Sequence, residues 1–158
     1  MAFHYGRRSL EQRNMVYPWL QLILEKTLAV HDHSIDQGGR SDEQQREYHR
    51  LGVTTLLPPD GKHLLKPDPT GQFFGRWSFA VDCCPYINGR RLATDKARFG
   101  PNQRAQFTRF LAIVEQIGRD VLADTGWALR FGINWDMDEE ILTDQTFQDF
   151  YHIETVRI

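Results

Sequence analysis

Phe79-Ala80-Val81-Asp82-Cys83-Cys84-Pro85-Tyr86-Ile87-Asn88-Gly89 opens as an apolar run and closes on a turn signal. Phe79 to Val81 predicts a buried strand, and Asn-Gly marks a tight turn, because both residues tolerate positive φ. Asp82 ends the apolar triplet. An unpaired carboxylate there would be costly, so it is expected to meet a cation, a metal or strong donors, the ordinary case being a structural salt bridge. Cys83 and Cys84, the only two cysteines in the chain, are adjacent and cannot staple distant segments. As strand neighbours they point to opposite faces, cannot readily share one ion, and read as small buried hydrophobes.

Downstream, Phe107, Phe110, Leu111, Val114, Ile117, Val121 and Leu122 fit one helical face, which predicts a long core helix from Pro101 to Leu122. Trp127 to Ile133 and Phe150 to Val156 alternate as strands. Between them, residues 136–149 hold six acids and no Lys or Arg. That run lacks the glycine and ligand spacing of an EF-hand and reads as a solvated acidic loop. Upstream, Ser9 to Gln12 spells S-L-E-Q, a capping-box pattern, ahead of a first helix from about Pro18 to Val30. His31 to Asp36 suits a short strand running into Gly38-Gly39. Ser41 opens S-D-E-Q, a second capping box, for a charged helix that stops at Gly52. Pro58 to Gly75 is rich in Pro, Gly, Asp and Lys and predicts an irregular loop of a length that is more often functional than idle.

The 158 residues carry 19 Lys+Arg against 21 Asp+Glu, a formal charge of −2, with 41% hydrophobic and 12% aromatic residues. That composition supports a real core and excludes disordered and fibrous classes. One domain, 1–158, is expected, with no repeat and no linker. No run reaches the roughly 18 apolar residues of a membrane span, and MAFHYGRRSLEQR has no apolar stretch behind its charge, so no signal peptide is expected. Near-zero charge gives no reason to bind nucleic acid.

His152 and Glu154 lie two apart in the last strand and share a face, with Asp149 three residues before His152. An imidazole can hold a metal while a nearby carboxylate takes a proton from the attacking water, although D-F-Y-H-I-E alone also suits a surface histidine. His31 and His33 form an H-x-H pair with no third ligand close by, and His63 lies in the long loop.

Four blocks in order carry a family resemblance. They are R8-S9-L10 with its helix; G39-R40-S41-D42-E43-Q44-Q45 through Gly52, similar to G-x-R-T-x-x-x-Q; the F79 to G89 segment, similar to A-x-D with a trailing P-Y-x-N-G; and W127 to W135 with D149-F150-Y151-H152-I153-E154, similar to R-W-G-G-D-W and D-x-P-H-F-E. Over nearly its whole length the chain resembles the zinc peptidoglycan peptidases of the D-Ala-D-Ala carboxypeptidase and L-alanyl-D-glutamate endopeptidase group, especially compact phage endolysins. The resemblance implies an α+β fold, a small antiparallel sheet packed with helices, as in DD-peptidase and hedgehog-like zinc peptidases.

In that family zinc is held by His, Asp and His, the first two within S-x-H-x-x-G-x-A-x-D. Here Gly75 and Ser78 stand at the motif's histidine and glycine positions. His63 is the nearest upstream histidine, close to the family distance after Gly52. An insertion of about a dozen residues, roughly Lys66 to Trp77 in a loop at about 64–78, would separate it from Asp82. The resemblance then implies Zn²⁺ on His63, Asp82 and His152, Asp149 as general base, Arg40 as oxyanion stabiliser, Glu154 orienting a neighbour, and Trp135 and Tyr86 lining the cleft. The expected activity is cleavage of the peptidoglycan stem peptide between L-Ala and D-Glu by a monomeric phage or prophage endolysin, held in the host cytoplasm before release. A D-Ala-D-Ala carboxypeptidase of the same fold, and a dead wall-binding relative that has lost its first ligand, are the alternatives.

Overall fold

This computed structural model describes residues 2–92, 100–134, 137 and 149–158. In chain order they form α1 (Arg7–Arg13), α2 (Pro18–Leu28), β1 (His33–Gln37), α3 (Asp42–Arg50), β2 (Lys66–Pro67), β3 (Arg76–Trp77), β4 (Ala80–Ile87), β5 (Arg90–Arg91), α4 (Pro101–Leu122), β6 (Trp127–Phe131) and β7 (His152–Arg157). The chain builds the expected α+β architecture, with an antiparallel sheet in the order β1-β4-β7-β6 and β5 added to β4.

Helix α4 fills its expected range because Phe107, Phe110, Leu111, Val114 and Leu122 bury one face. Leu20, Ile23 and Leu24 of α2 are fully buried and belong to the same core. Burying each such side chain contributes roughly 1.5–3 kcal/mol, which is how packing rather than propensity holds these helices on the sheet. α2 ends at Leu28, short of the expected Val30, whose side chain lies in solvent and gains nothing from another turn.

The two capping patterns part ways. At Ser41 the box is complete: the Gln44 N–H donates to Ser41 Oγ at 3.2 Å, and Gln44 Oε1 accepts from the Ser41 N–H at 3.0 Å. The other end of α3 closes with Gly52 N–H on the His49 carbonyl and Val53 N–H on the Tyr48 carbonyl, the paired bonds of a Schellman stop. Ser9, in contrast, lies inside α1, whose N-cap is Gly6. Its Oγ accepts from the Ile35 N–H at 3.1 Å and fastens α1 to β1.

β4 is longer than the apolar triplet predicts. It continues through Asp82 to Ile87, then turns at Asn88-Gly89, both at positive φ, into β5. Across the sheet the register sorts residues into two rows. Ile35 opposes Cys83, and Val81, Ile153 and Phe131 stand in line on the core face. On the opposite face Asp82 opposes His152, and Ala80, Glu154 and Arg130 stand in line. Period-two alternation therefore gives one apolar face and one ionisable face. Cys83 and Cys84 are both buried free thiols, as expected; burial pushes Cys84 up to about 11. Within the 58–75 loop the chain forms one side of a small ribbon, β2 pairing with β3. Among the described residues, no helix is long and apolar enough to cross a membrane.

Candidate active site

The ionisable row gathers the candidate ligands. Asp82 Oδ1 lies 3.3 Å from His152 Nδ1, its cross-strand partner. His63 reaches the same oxygen from outside the sheet, with Nε2 at 3.2 Å. The loop bearing it is pinned by the Arg40 N–H on the His63 carbonyl at 2.8 Å and by an Arg40↔Leu64 bridge. Its ring is oriented by His63 Nδ1 lying 2.9 Å from the Gly38 carbonyl. A carbonyl only accepts, so Nδ1 carries a proton, and Nε2 is the nitrogen turned toward Asp82. The Gly38 carbonyl is placed by a bulge: Ile35 opposes Cys83 and Gln37 opposes Asp82, leaving Asp36 as the extra residue of β1. Gly38 also has no room for a side chain, since a Cβ would fall 2.1 Å from the Gln12 carbonyl oxygen.

One donor atom from each of His63, Asp82 and His152 lies within 4.8 Å of the other two. Burial alone would raise the Asp82 carboxyl, but hydrogen bonds from His152 and His63 outweigh it and hold the group well below the carboxylate range. Burial would lower His152, yet Asp82 and Glu154 carry it up to about 9. Two imidazoles and one carboxylate suit zinc, which accepts nitrogen and oxygen donors and leaves a position open in catalytic sites. The three residues fit such an ion.

Glu154 sits beneath this cluster. Its Oε1 accepts from Arg130 Nε at 2.7 Å and Nη2 at 2.6 Å, its Oε2 lies 3.6 Å from Lys62 Nζ, and His152 Nε2 is 3.9 Å away. Burial would raise this carboxyl, but His152, Arg130 and Lys62 lower it to about 2. Asp149 is held at the end of β6, its N–H on the Gly132 carbonyl at 2.8 Å and its Oδ1 accepting from Tyr151 N–H at 3.1 Å. Gly132 permits this approach, because a Cβ there would meet the Asp149 carbonyl oxygen at 2.3 Å. Burial first, and then the Asp82 charge, raise the Asp149 carboxyl, while His152 and His63 oppose the shift; its carboxylate shares the cluster's field. Arg40 donates from Nη1 to Gln45 Oε1 at 2.7 Å and lies 4.5 Å over the Tyr48 ring. Burial lowers its pKa while Tyr48 and Asp82 raise it.

Tyr86 lies on the same face of β4 as Asp82 but four residues on, roughly 13 Å along the strand, and so apart from the cluster. Trp135, and residues 136 and 138–148 of the acidic run, lie outside the described residues. His31 and His33 do not form a ligand pair. His33 Nδ1 bonds the His31 carbonyl at 3.0 Å and its Nε2 bonds Tyr5 Oη at 2.6 Å, so its ring is a satisfied part of the interior. Sequence reasoning missed Arg130, Gln45, Gly38 and Gly132. For Arg130 a signal existed: opposite charges sit on two alternating strands that pair. A concavity of about 620 Å³ lies away from the cluster, between the end of α4 and β6, lined by residues such as Arg119, Leu122 and Leu129.

A carboxylate and an imidazole on the polar face of a small antiparallel sheet, met by a second imidazole from a loop, are a donor set of the kind hydrolytic metal sites use in an α+β fold. Residues 1–156 match the family model for phage L-alanyl-D-glutamate peptidase, and the chain belongs to that family. Membership makes it an L-Ala–D-Glu endopeptidase of phage type, a hydrolase of peptidoglycan. The fold is similar to that of the L-Ala D-Glu endopeptidase ChiX of Serratia marcescens, with a TM-score of 0.62 and 19% identity over 97% of this chain and 90% of that one. No curated protein matches.

Proposed function

We propose that this endopeptidase is zinc-dependent, with the ion on His63 Nε2, the Asp82 carboxylate and His152 Nδ1. Bound there, zinc would polarise the scissile carbonyl and ease deprotonation of a water. Asp149 takes the proton of the attacking water and returns it to the leaving amine of D-Glu. Arg40, held rigid by Gln45 and Tyr48, donates to the carbonyl oxygen as negative charge develops on it. Glu154, anchored by Arg130, orients the His152 ring. The 64–78 loop is an insertion into a single catalytic domain. As an endolysin the protein waits in the host cytoplasm and acts on the wall after release.

The observation that supports this reading is the approach of three donor atoms, from three separate segments of the chain, to within 4.8 Å of one another. The test is zinc stoichiometry with mass spectrometry of digested muropeptides. One zinc per chain, lost in His63→Ala together with products ending in L-Ala, is expected. Protein that keeps its zinc in His63→Ala, or cuts stem peptide equally well after the metal is stripped, overturns it.

A further inference from the structure

Arg76 is brought against the loop that carries His63 by the ribbon, not by the main sheet. β3 pairs with β2 at Pro67↔Arg76 and Lys66↔Trp77, which returns residue 76 to the chain just past His63. Its guanidinium donates through Nε at 3.1 Å and Nη2 at 2.7 Å to the Leu65 carbonyl. The Leu65 N–H donates in turn to the Arg40 carbonyl at 3.3 Å. The two arginines therefore flank one residue. With Ser41, Asp42, Glu43 and Leu65 they line an open recess of about 250 Å³.

Anchoring to Leu65 uses one edge of the Arg76 fork and leaves Nη1 for a ligand. Arg40 Nε is buried and finds no acceptor among the described residues. Both acids of the recess belong to the first turn of α3, where the helix dipole favours them, and the Glu43 carboxylate accepts from its own backbone N–H and the Ser41 hydroxyl. The Arg76 guanidinium is the cationic group that the recess holds open to solvent.

We propose that Arg76 and Arg40 form a carboxylate subsite that reads the free α-carboxylate of the D-glutamyl residue on the leaving side of the scissile bond. This rests on the L-Ala–D-Glu cut assigned above. D-Glu supplies the amine of that bond and continues the stem through its side-chain carboxyl, so its α-carboxylate stands free next to the reacting atoms. A guanidinium fork matches a carboxylate, and the pinned Arg76 fork is already oriented. An amidated D-glutamyl residue loses the charge and turns N–H donors toward guanidinium donors, which a site built for the anion rejects.

The test compares stem tripeptides carrying D-Glu or D-isoglutamine at this position. The zinc-loaded protein should cleave the carboxylate substrate with kcat/KM at least about tenfold higher, mostly through KM, the scale of one charge-assisted hydrogen bond. Arg76→Gln should bring it down to the amidated level with zinc content, melting temperature and kcat retained, and Arg76→Lys should restore part of the preference. Equal cleavage of both substrates by the parent protein, or a preference that survives in Arg76→Gln, overturns the subsite alone. Cleavage of neither substrate between L-Ala and D-Glu overturns the cut on which it rests, and the subsite with it.

Discussion

Two buried histidines, His33 and His152, have the same packing and opposite chemistry. They are 3% and 4% exposed, and both begin or nearly begin a strand of the same sheet. His33 faces a tyrosine hydroxyl, a backbone carbonyl and the Phe110 ring, and burial pushes it down to about 4. His152 faces Asp82 and Glu154 and is carried up to about 9. Burial opposes the imidazolium at both positions, so the carboxylates alone separate them. A histidine in the interior becomes a candidate ligand only when the sheet register sets an acid against it.

The comparison breaks most severely at Asp82. Asp82→Asn keeps the shape but removes the charge shared by both imidazoles; zinc binding should be lost and turnover should fall by about three orders of magnitude or more, measured by metal analysis and muropeptide release. Next comes Glu154→Ala, which removes the buried carboxylate that accepts from Arg130. Urea unfolding should show a loss of about 3 kcal/mol, whereas Arg130→Met together with Glu154→Leu should recover much of it. His33 responds to pH instead. Its folded pKa of about 4 lies below the unfolded 6.5, so the unfolded chain binds the proton first between those values. The contribution is therefore complete above pH 6.5 and disappears as pH falls toward 4, on the order of 3 kcal/mol. His33→Gln should flatten the stability profile across that window, and an unchanged slope would exclude the assignment. The smallest effect belongs to Tyr5→Phe, which deletes the 2.6 Å partner of His33 and should cost about 1 kcal/mol without altering zinc content.

Local features were legible in the chain and non-local ones were not. The α4 range, the Ser41 box and the Asn88-Gly89 turn each depend on residues within a few positions, and sequence reading places them well. Ser9 shows the limit: it carries the same capping letters as Ser41, but its hydroxyl is spent on Ile35, 26 residues away. Asp82 misled in the opposite sense, since an acid after an apolar triplet reads as a strand end unless its partners, 70 residues on at His152 and in the loop at His63, are known. His63 itself was reached only through family resemblance and its distance from Gly52, because nothing in G-K-H-L-L distinguishes a ligand from a loop histidine. The Arg130–Glu154 pair required the β6–β7 register, and the service of the Gly38 carbonyl required the bulge in β1.

That carbonyl has an implication for how this protein can drift. The group that orients the His63 ring belongs to the main chain, so no side-chain exchange can delete it. The exposure to damage lies instead in position 38 having to stay without a side chain: with the Gln12 carbonyl oxygen 2.1 Å from where a Cβ would fall, even alanine would push α1 and β1 apart. A neutral-looking substitution one hydrogen bond behind a ligand would thus be read out as a mis-set imidazole, and inheritance of activity here depends on one hydrogen atom where other residues carry a carbon.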